Sequence, residues 1–340
     1  MKKIILGKTG LEVTKTAFGV LPLQRVEMPE AIRLLQKAYA EGINFYDTAR
    51  AYSDSEEKVG NALSGVRENI VIATKTHSKN TKEFWEHLET SLEKLKTSYI
   101  DIYQFHNPGK VFKPNDGTGM YEAMLEAKSQ GKIRHIGITN HSKNTALEAI
   151  KSGLYDTLQY PLSYISDEGD LDVYKACTGH EMGFIAMKAL CGGLLTNAQA
   201  IYAFFEMMEN AVPIYGMQRE SELMEFVGLT KNTQPMTPEI AARIQSDKES
   251  LQGNFCRGCG YCLPCPAGIK INNVARMKFL LRRAVWQNFV TPEWQAEMRK
   301  VNDCIDCGAC KSRCPYGIDC PELMRSMLKD YEAFLVEKGV

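Results

Sequence analysis

The sequence predicts an α/β chain: a (β/α)8 TIM barrel followed by a small cysteine-rich domain of helices and loops. Three observations carry this. Short β-branched or aromatic runs recur about one βα unit apart with amphipathic stretches between them, the pattern of a parallel sheet. Eight such runs are present, the number that closes as a barrel. Beyond the last of them, eight of the eleven cysteines gather in two short runs.

The opening residues read as a hairpin. Ile4-Ile5-Leu6 and Leu11-Glu12-Val13 flank the turn Gly7-Lys8-Thr9-Gly10, ahead of the barrel, where the hairpin can plug the floor. The eight strands are expected near Thr16 to Val20, Asn44 to Thr48, Ile70 to Lys75, Ile100 to Phe105, Arg134 to Thr139, Asp156 to Tyr160, Phe184 to Lys188 and Val212 to Gly216. Helix signals agree in phase: Pro29 sits in a first helical turn and Gly42 just past that helix's end, with apolar Ile32, Leu35 and Ala38 between them. A doubly wound open sheet is the competing architecture, but no glycine-rich dinucleotide turn follows the first strand. From about Asn232 the pattern changes. Thr237-Pro238-Glu239 begins a polar helix, and Gly253-Asn254-Phe255 leads into the first cysteine run. The chain is therefore expected to divide into a barrel, 1–231, and a C-terminal extension, 232–340. Within the extension, Met277, Leu280, Leu281 and Val285 against Arg282 and Arg283 read as an amphipathic helix.

Composition narrows the function. A chain of 340 residues with 44% hydrophobic content holds one large α/β domain and an appendage. Lys and Arg number 41 and so do Asp and Glu, so no basic field steers the chain to nucleic acid or an anionic membrane, and neither is expected as a partner. The apolar run after Met1-Lys2-Lys3 stops at Gly7, too short for an export signal or a membrane span. Cysteines in such runs fit a reducing cytoplasm better than disulfides.

In a barrel of this kind chemistry sits on the loops at the carboxyl ends of the strands. Asp47 ends the second expected strand, Tyr52 follows in the next loop, Lys75 ends the third strand and His106 the fourth. A strand-end Asp or His taken alone is more often structural than catalytic. Together the four resemble the tetrad of the aldo-keto reductases, and the resemblance runs from the entry hairpin through the eighth strand. It implies a carbonyl or alcohol substrate and a nicotinamide cofactor. It also implies roles. Tyr52 donates a proton to the carbonyl oxygen, and the Lys75 ammonium lowers the phenol's pKa from near 10. Asp47 keeps that ammonium charged, and His106 orients the substrate oxygen.

The same resemblance assigns Thr139, Asn140 and Gln159 to the nicotinamide carboxamide. At other positions the sequence departs from the family. Lys188 stands after the seventh strand, where a ring-stacking tyrosine is usual. After the eighth strand Gly216-Met217-Gln218-Arg219-Glu220-Ser221-Glu222 replaces a Lys-Ser pair and an arginine for the 2′-phosphate of NADP. Glu222 would repel that phosphate, Arg219 could substitute for the missing cation, and Phe226 occupies the place of an adenine-binding asparagine. NAD(P) is the expected cofactor, with NADH, NADPH or neither left open; 216–227 also reads simply as a surface helix. The 107–120 loop, with Pro108-Gly109 and Asp116-Gly117-Thr118-Gly119, has the composition of a partial lid.

The cysteine runs are Cys256, Cys259, Cys262, Cys265-Pro266 and Cys304, Cys307, Cys310, Cys314-Pro315. They resemble a two-cluster ferredoxin, the second residue for residue and the first with one residue fewer before its fourth cysteine. In such proteins the fourth cysteine of each run serves the other cluster. The resemblance therefore implies two [4Fe-4S] clusters, one on Cys256, Cys259, Cys262 and Cys314, the other on Cys304, Cys307, Cys310 and Cys265. Paired C-x2-C motifs also build zinc sites, the alternative reading. Cys177, Cys191 and Cys320 read as structural thiols.

A nicotinamide gives two electrons and each cluster passes one, with no flavin-binding signature to convert between them. The expected function is a cytoplasmic oxidoreductase interconverting a carbonyl compound and its alcohol, with clusters for electron transfer or structure. The alternatives are an oxidoreductase fed by a ferredoxin-like redox partner without nicotinamide, and an electron-carrier subunit whose barrel is a scaffold.

Overall fold

The computed structural model describes residues 1–232, 235–251, 255–283 and 286–340. Gly253, Asn254, Val285 and the Arg283 side chain, used in the reading above, lie outside the described residues. Packing divides the chain into two compact units, Met1–Ala189 with Ala198–Ala241, and Leu190–Asn197 with Ala242–Val340.

The first unit opens with β1 (Lys3–Ile5) and β2 (Glu12–Thr14), paired antiparallel. The barrel strands are β3 (Ala17–Gly19), β4 (Phe45–Asp47), β5 (Val71–Thr76), β6 (Ile100–His106), β7 (Ile133–Thr139), β8 (Thr157–Pro161), β9 (Gly183–Met187) and β10 (Ala211–Gly216). They are parallel and close in sequence order, with β10 pairing back onto β3. Each coincides with an expected strand to within two residues at either end. The runs were legible because a parallel strand is buried on both faces, as β5 is at all six positions, and so reads as a short β-branched or apolar run, here Val71-Ile72-Ala73 ahead of the polar Thr74-Lys75-Thr76.

The helices between the strands are α1 (Met28–Ala40), α2 (Ser55–Leu63), α3 (Thr81–Leu95), α4 (Met120–Ser129), α5 (Lys143–Ser152), α6 (Glu168–Gly179) and α7 (Ala198–Glu206); α8 (Glu220–Lys231) follows β10. In α1 the buried stripe is Ala31, Leu34, Leu35 and Ala38, so Ile32 lies at the edge of the buried face. The hairpin does close the floor: Leu6 and Val13 are fully buried and cluster with Ala17, Phe45, Val71, Ile102 and Val212.

The second unit is helical among the described residues. After α9 (Pro238–Ser250), which begins in the first unit, come α10 (Ile271–Val274), α11 (Met277–Arg283), α12 (Pro292–Arg299), α13 (Ala309–Arg313) and α14 (Cys320–Lys338). Met324, Met327, Leu328, Tyr331 and Phe334 fall on one stripe of α14 and cluster with Ile271, Met277, Leu281, Met298 and Val301. Met277 and Leu281 thus face the core as their spacing predicts, while Arg282 turns outward to a two-point pair with Asp330 at 2.6 and 2.8 Å.

Helices α2 and α3 approach so closely at Gly60 that an added Cβ would stand 2.2 Å from the Lys94 carbonyl oxygen. Backbone cannot yield as a side chain tip can, so Gly60→Ala is expected to cost about 1–3 kcal/mol of stability. Urea denaturation followed by circular dichroism checks this; an unchanged midpoint would contradict the packing described.

Candidate active site and cluster centre

The parallel register lines up the strand ends that carry the polar residues. Asp47 of β4 pairs with Ala73 of β5, and Lys75 lies two residues on, the next inward position of that strand. The Lys75 ammonium donates to both Asp47 oxygens at 2.7 Å and to the Thr48 carbonyl at 2.6 Å, so its three N–H groups have three matched acceptors. Lys75 and Asp47 are almost wholly buried. Burial drives the Asp47 carboxyl up and the Lys75 ammonium down from their ordinary values, and each charge opposes the other's shift.

Past β4 the backbone continues alongside β5, Thr48 N–H donating to Ala73 and Arg50 N–H to Lys75. A turn follows in which Tyr52 N–H donates to Ala49 and Ser55 N–H to Tyr52. This places the Tyr52 ring with the Lys75 ammonium 5.3 Å from its centroid. The His106 ring meets Tyr52 edge-on, centroids 5.7 Å apart and planes at 84°. Burial, reinforced by the Lys75 charge and by His77, holds the His106 imidazole far below its ordinary value, at about 3. It is neutral at working pH and so keeps one N–H to donate. The four expected side chains therefore converge.

Sequence reasoning missed Gln104. Its amide donates to the Gln159 carbonyl oxygen at 3.0 Å, and the Gln159 amide in turn reaches Asp47 Oδ1 at 3.4 Å. Strand alternation held the signal, because Gln104 shares the inward face of β6 with His106.

The positions assigned to a nicotinamide are largely engaged within the chain. Thr139 Oγ1 accepts from Asn107 N–H at 3.0 Å. Asn140 donates to the Pro108 carbonyl and accepts from Ser142 N–H. Those bonds, with Tyr155 donating to the Phe112 carbonyl and Val111 buried, anchor the 107–120 loop to the barrel. Lys188 follows β9 with its backbone left-handed, φ +63°. Gly216 ends β10, and just beyond it Glu222 folds back over the start of α8. Glu222 Oε2 accepts from Gln218 N–H at 2.8 Å and Arg219 N–H at 3.2 Å. The bond from Arg219, the N-cap of α8, occupies a donor that a helix start can offer an anion, and the Arg219 guanidinium lies largely exposed, 4.0 Å from the same carboxylate. Phe226 is buried, stacked on Tyr215 with centroids 4.1 Å apart. The residues here do not fit a 2′-phosphate.

In the second unit the first cysteine loop turns at Gly258, φ +67°, whose N–H donates to Cys256 Sγ at 3.3 Å. Burial, with Cys256 and Cys259 alongside, pushes the Cys262 thiol up to about 12; a bound iron would remove that proton outright. Cys262 and Cys265 of the first run line one cavity with Cys304, Cys307 and Cys310 of the second, so cysteines of both runs border one space. Among the described residues no three His, Cys, Asp or Glu side chains converge as for a single ion. A cubane does not ask them to, since each of its irons takes one thiolate. The donor set and the cavity fit such a cluster. Cys177, Cys191 and Cys320 are buried.

A model described as the aldo/keto reductase family matches residues 3–246. The chain belongs to the aldo/keto reductase family. A 4Fe-4S dicluster domain matches residues 255–319 of the same chain. Among curated relatives, the uncharacterized oxidoreductase YqkF of Bacillus subtilis is 29% identical over 266 residues, 74% of this chain and 82% of its own. Methylglyoxal reductase DkgB of Salmonella typhi is 32% identical over 214 residues, 59% of this chain and 76% of its own. The solved holo form of aldo-keto reductase AKR11C1 from Bacillus halodurans superposes with a TM-score of 0.63 at 25% identity, covering 73% of this chain and 96% of that one. An aldo-keto reductase from Klebsiella pneumoniae, solved with NADPH, shares the fold at 20% identity and a TM-score of 0.63. No helix among the described residues is long and apolar enough to cross a membrane.

The depressed His106 value has a measurable sign. The unfolded chain takes up this proton near the ordinary imidazole value, so the folded state loses stability as pH falls from about 6.5 toward 3. Imidazole NMR of the folded protein is expected to show His106 neutral from pH 8 down to about 4, whereas a midpoint near the ordinary value would remove it as a neutral donor.

Proposed function

We propose that the barrel, 1–231, interconverts a small carbonyl compound and its alcohol, and that the extension, 232–340, carries two [4Fe-4S] clusters. The observation that carries the reading is the buried Lys75 ammonium, clamped by Asp47 and Thr48 over the ring of Tyr52 and beside a neutral His106. Tyr52 gives its phenolic proton to the substrate oxygen as negative charge gathers there. The Lys75 charge above the ring stabilises the phenolate left behind, and His106 donates a hydrogen bond that holds the oxygen. In the reverse direction the phenolate takes the alcohol proton. A bound nicotinamide would supply or remove the hydride; Thr139, Asn140 and Gln159 are the residues proposed for its carboxamide, with Lys188, Gly216, Gln218, Arg219 and Glu222 bordering the rest.

One cluster falls to Cys256, Cys259, Cys262 and Cys314, the other to Cys304, Cys307, Cys310 and Cys265, and such oxygen-labile groups suit a cytoplasmic protein. Each cluster would pass single electrons. The Glu222 carboxylate on the donors of α8 favours a second reading, in which a redox partner protein rather than NADPH feeds the enzyme.

Two outcomes test this. Tyr52→Phe is expected to lower carbonyl turnover at least a hundredfold with NADH, NADPH or a reduced ferredoxin as donor. Near-normal turnover in the variant would eliminate the phenol as the acid, and the donor that sustains the wild type separates the two readings. Cys265→Ala is expected to lose the cluster of the Cys304 run, about half of the bound iron, with the barrel still folded; full iron would place that ligand elsewhere.

A further inference from the structure

We propose that the two clusters are electrically unequal, the one on Cys256, Cys259, Cys262 and Cys314 taking an electron more readily than the one on Cys304, Cys307, Cys310 and Cys265. Electrons admitted at the second set then settle on the first. The inference rests on the ligand sets proposed above and is drawn from the charged groups that surround each set.

Reduction adds negative charge to a centre already ringed by four thiolates, so the cations and anions nearby set its ease. Two guanidiniums lie beside segments that supply the first set. Arg257 follows Cys256 in the chain, and its guanidinium lies 4.4 Å from the ring centroid of Tyr316, two residues past Cys314. It therefore stands between the two segments that supply this set. Arg276 is fixed by donating from Nε to the Asn272 carbonyl at 3.1 Å and from Nη1 to the Gly192 carbonyl at 2.8 Å. A Cβ placed on Gly258 would lie 2.8 Å from Nη1 and 2.9 Å from Cζ, so this guanidinium lies against the turn whose N–H reaches Cys256 Sγ. Both arginines are half-buried.

The second set is surrounded differently. A carboxylate, Asp306, lies 3.9 Å from Cys304 Sγ, and Arg325 pairs with both its oxygens at 2.5 and 2.6 Å, leaving little net charge. Lys311 is likewise paired with Asp319 at 2.8 Å. Arg313 donates to the Pro264 carbonyl beside Cys265, but it is exposed, where water and salt screen it. Water at the exposed Cys307 works in the opposite sense by easing added charge. The two sets differ in exposure at that one ligand, whereas two half-buried full charges lie beside the first set, and these decide the order. Cys307, exposed beside an Ile305 that is 66% exposed, is also where an external donor can come near. The electron then leaves the second cluster, which is oxidised, and enters the first, which is reduced; the initial donor is a low-potential one-electron iron–sulfur carrier.

Anaerobic potentiometric titration of the cluster-loaded full chain with dithionite, read by EPR and absorbance, resolves the couples with no carbonyl present. The expected result is two midpoints at least tenfold apart in reduction equilibrium, which is 59 mV for one electron. R276Q and R257Q should each lower the higher midpoint and leave the other in place, while R325Q, which exposes the Asp306 charge, should lower the lower one. Coincident midpoints, or arginine variants at 257 and 276 that move only the lower couple, overturn the proposal. Where R276Q fails to load iron, R257Q and the charge-keeping R276K decide, the latter retaining the wild-type higher midpoint. Carbonyl turnover with coincident midpoints would leave the proposed reaction standing and remove this inference; separated midpoints without turnover would do the reverse.

Discussion

The active end of the barrel depends on one buried charge. Lys75 sits near the end of the barrel strand β5 with almost no access to water, where an ammonium is tolerated only if its donors are matched and a counter-charge is close. Both conditions come from the neighbouring strand, through the Asp47 carboxylate and the Thr48 carbonyl. Removing one partner of such a pair strands the other, at a cost of about 3–5 kcal/mol. The register between β4 and β5 is thereby tied to the chemistry. A slip of one residue would turn Asp47 away from the barrel interior and leave the ammonium without its anion. The amides of Gln159 and Gln104 extend the same polar network across the barrel to β8 and β6.

Much of this was legible in the sequence. Buried parallel strands announce themselves as apolar runs, and their spacing fixes which residues end them, so Asp47, Lys75 and His106 could be placed at strand ends before any geometry was known. Local pattern fails where the answer depends on side-chain direction or distant packing. Ile32 and Leu34 are equally apolar, and only the turn of α1 against the barrel puts Leu34 inside. Gln104 was passed over as a polar interruption of a strand, although its parity with His106 marked it as inward. At Glu222 the sequence showed a charge hostile to phosphate but not the fold-back that turns it onto Gln218 and Arg219. Nothing local in Leu190–Asn197 marks it as packing with the cysteine-rich unit.

The two halves of the chain speak different electron languages. The tetrad is acid–base equipment suited to moving a proton alongside an electron pair, whereas the cysteine unit has the donor set of a one-electron relay. Glu222 bears on how the two are reconciled. Its carboxylate closes the turn ahead of α8 from within, by accepting from the N-cap Arg219 and from Gln218.

The path of the chain has a consequence for truncation. It passes from one compact unit to the other at 189/190, returns at 197/198 and crosses again at 241/242. Eight residues that connect β9 to α7 are thus packed, through Gly192 and Arg276, with sequence encoded some eighty positions later. The extension is not a cassette appended to a finished barrel. A chain cut after the barrel would leave the seventh connection without the guanidinium that now holds the Gly192 carbonyl.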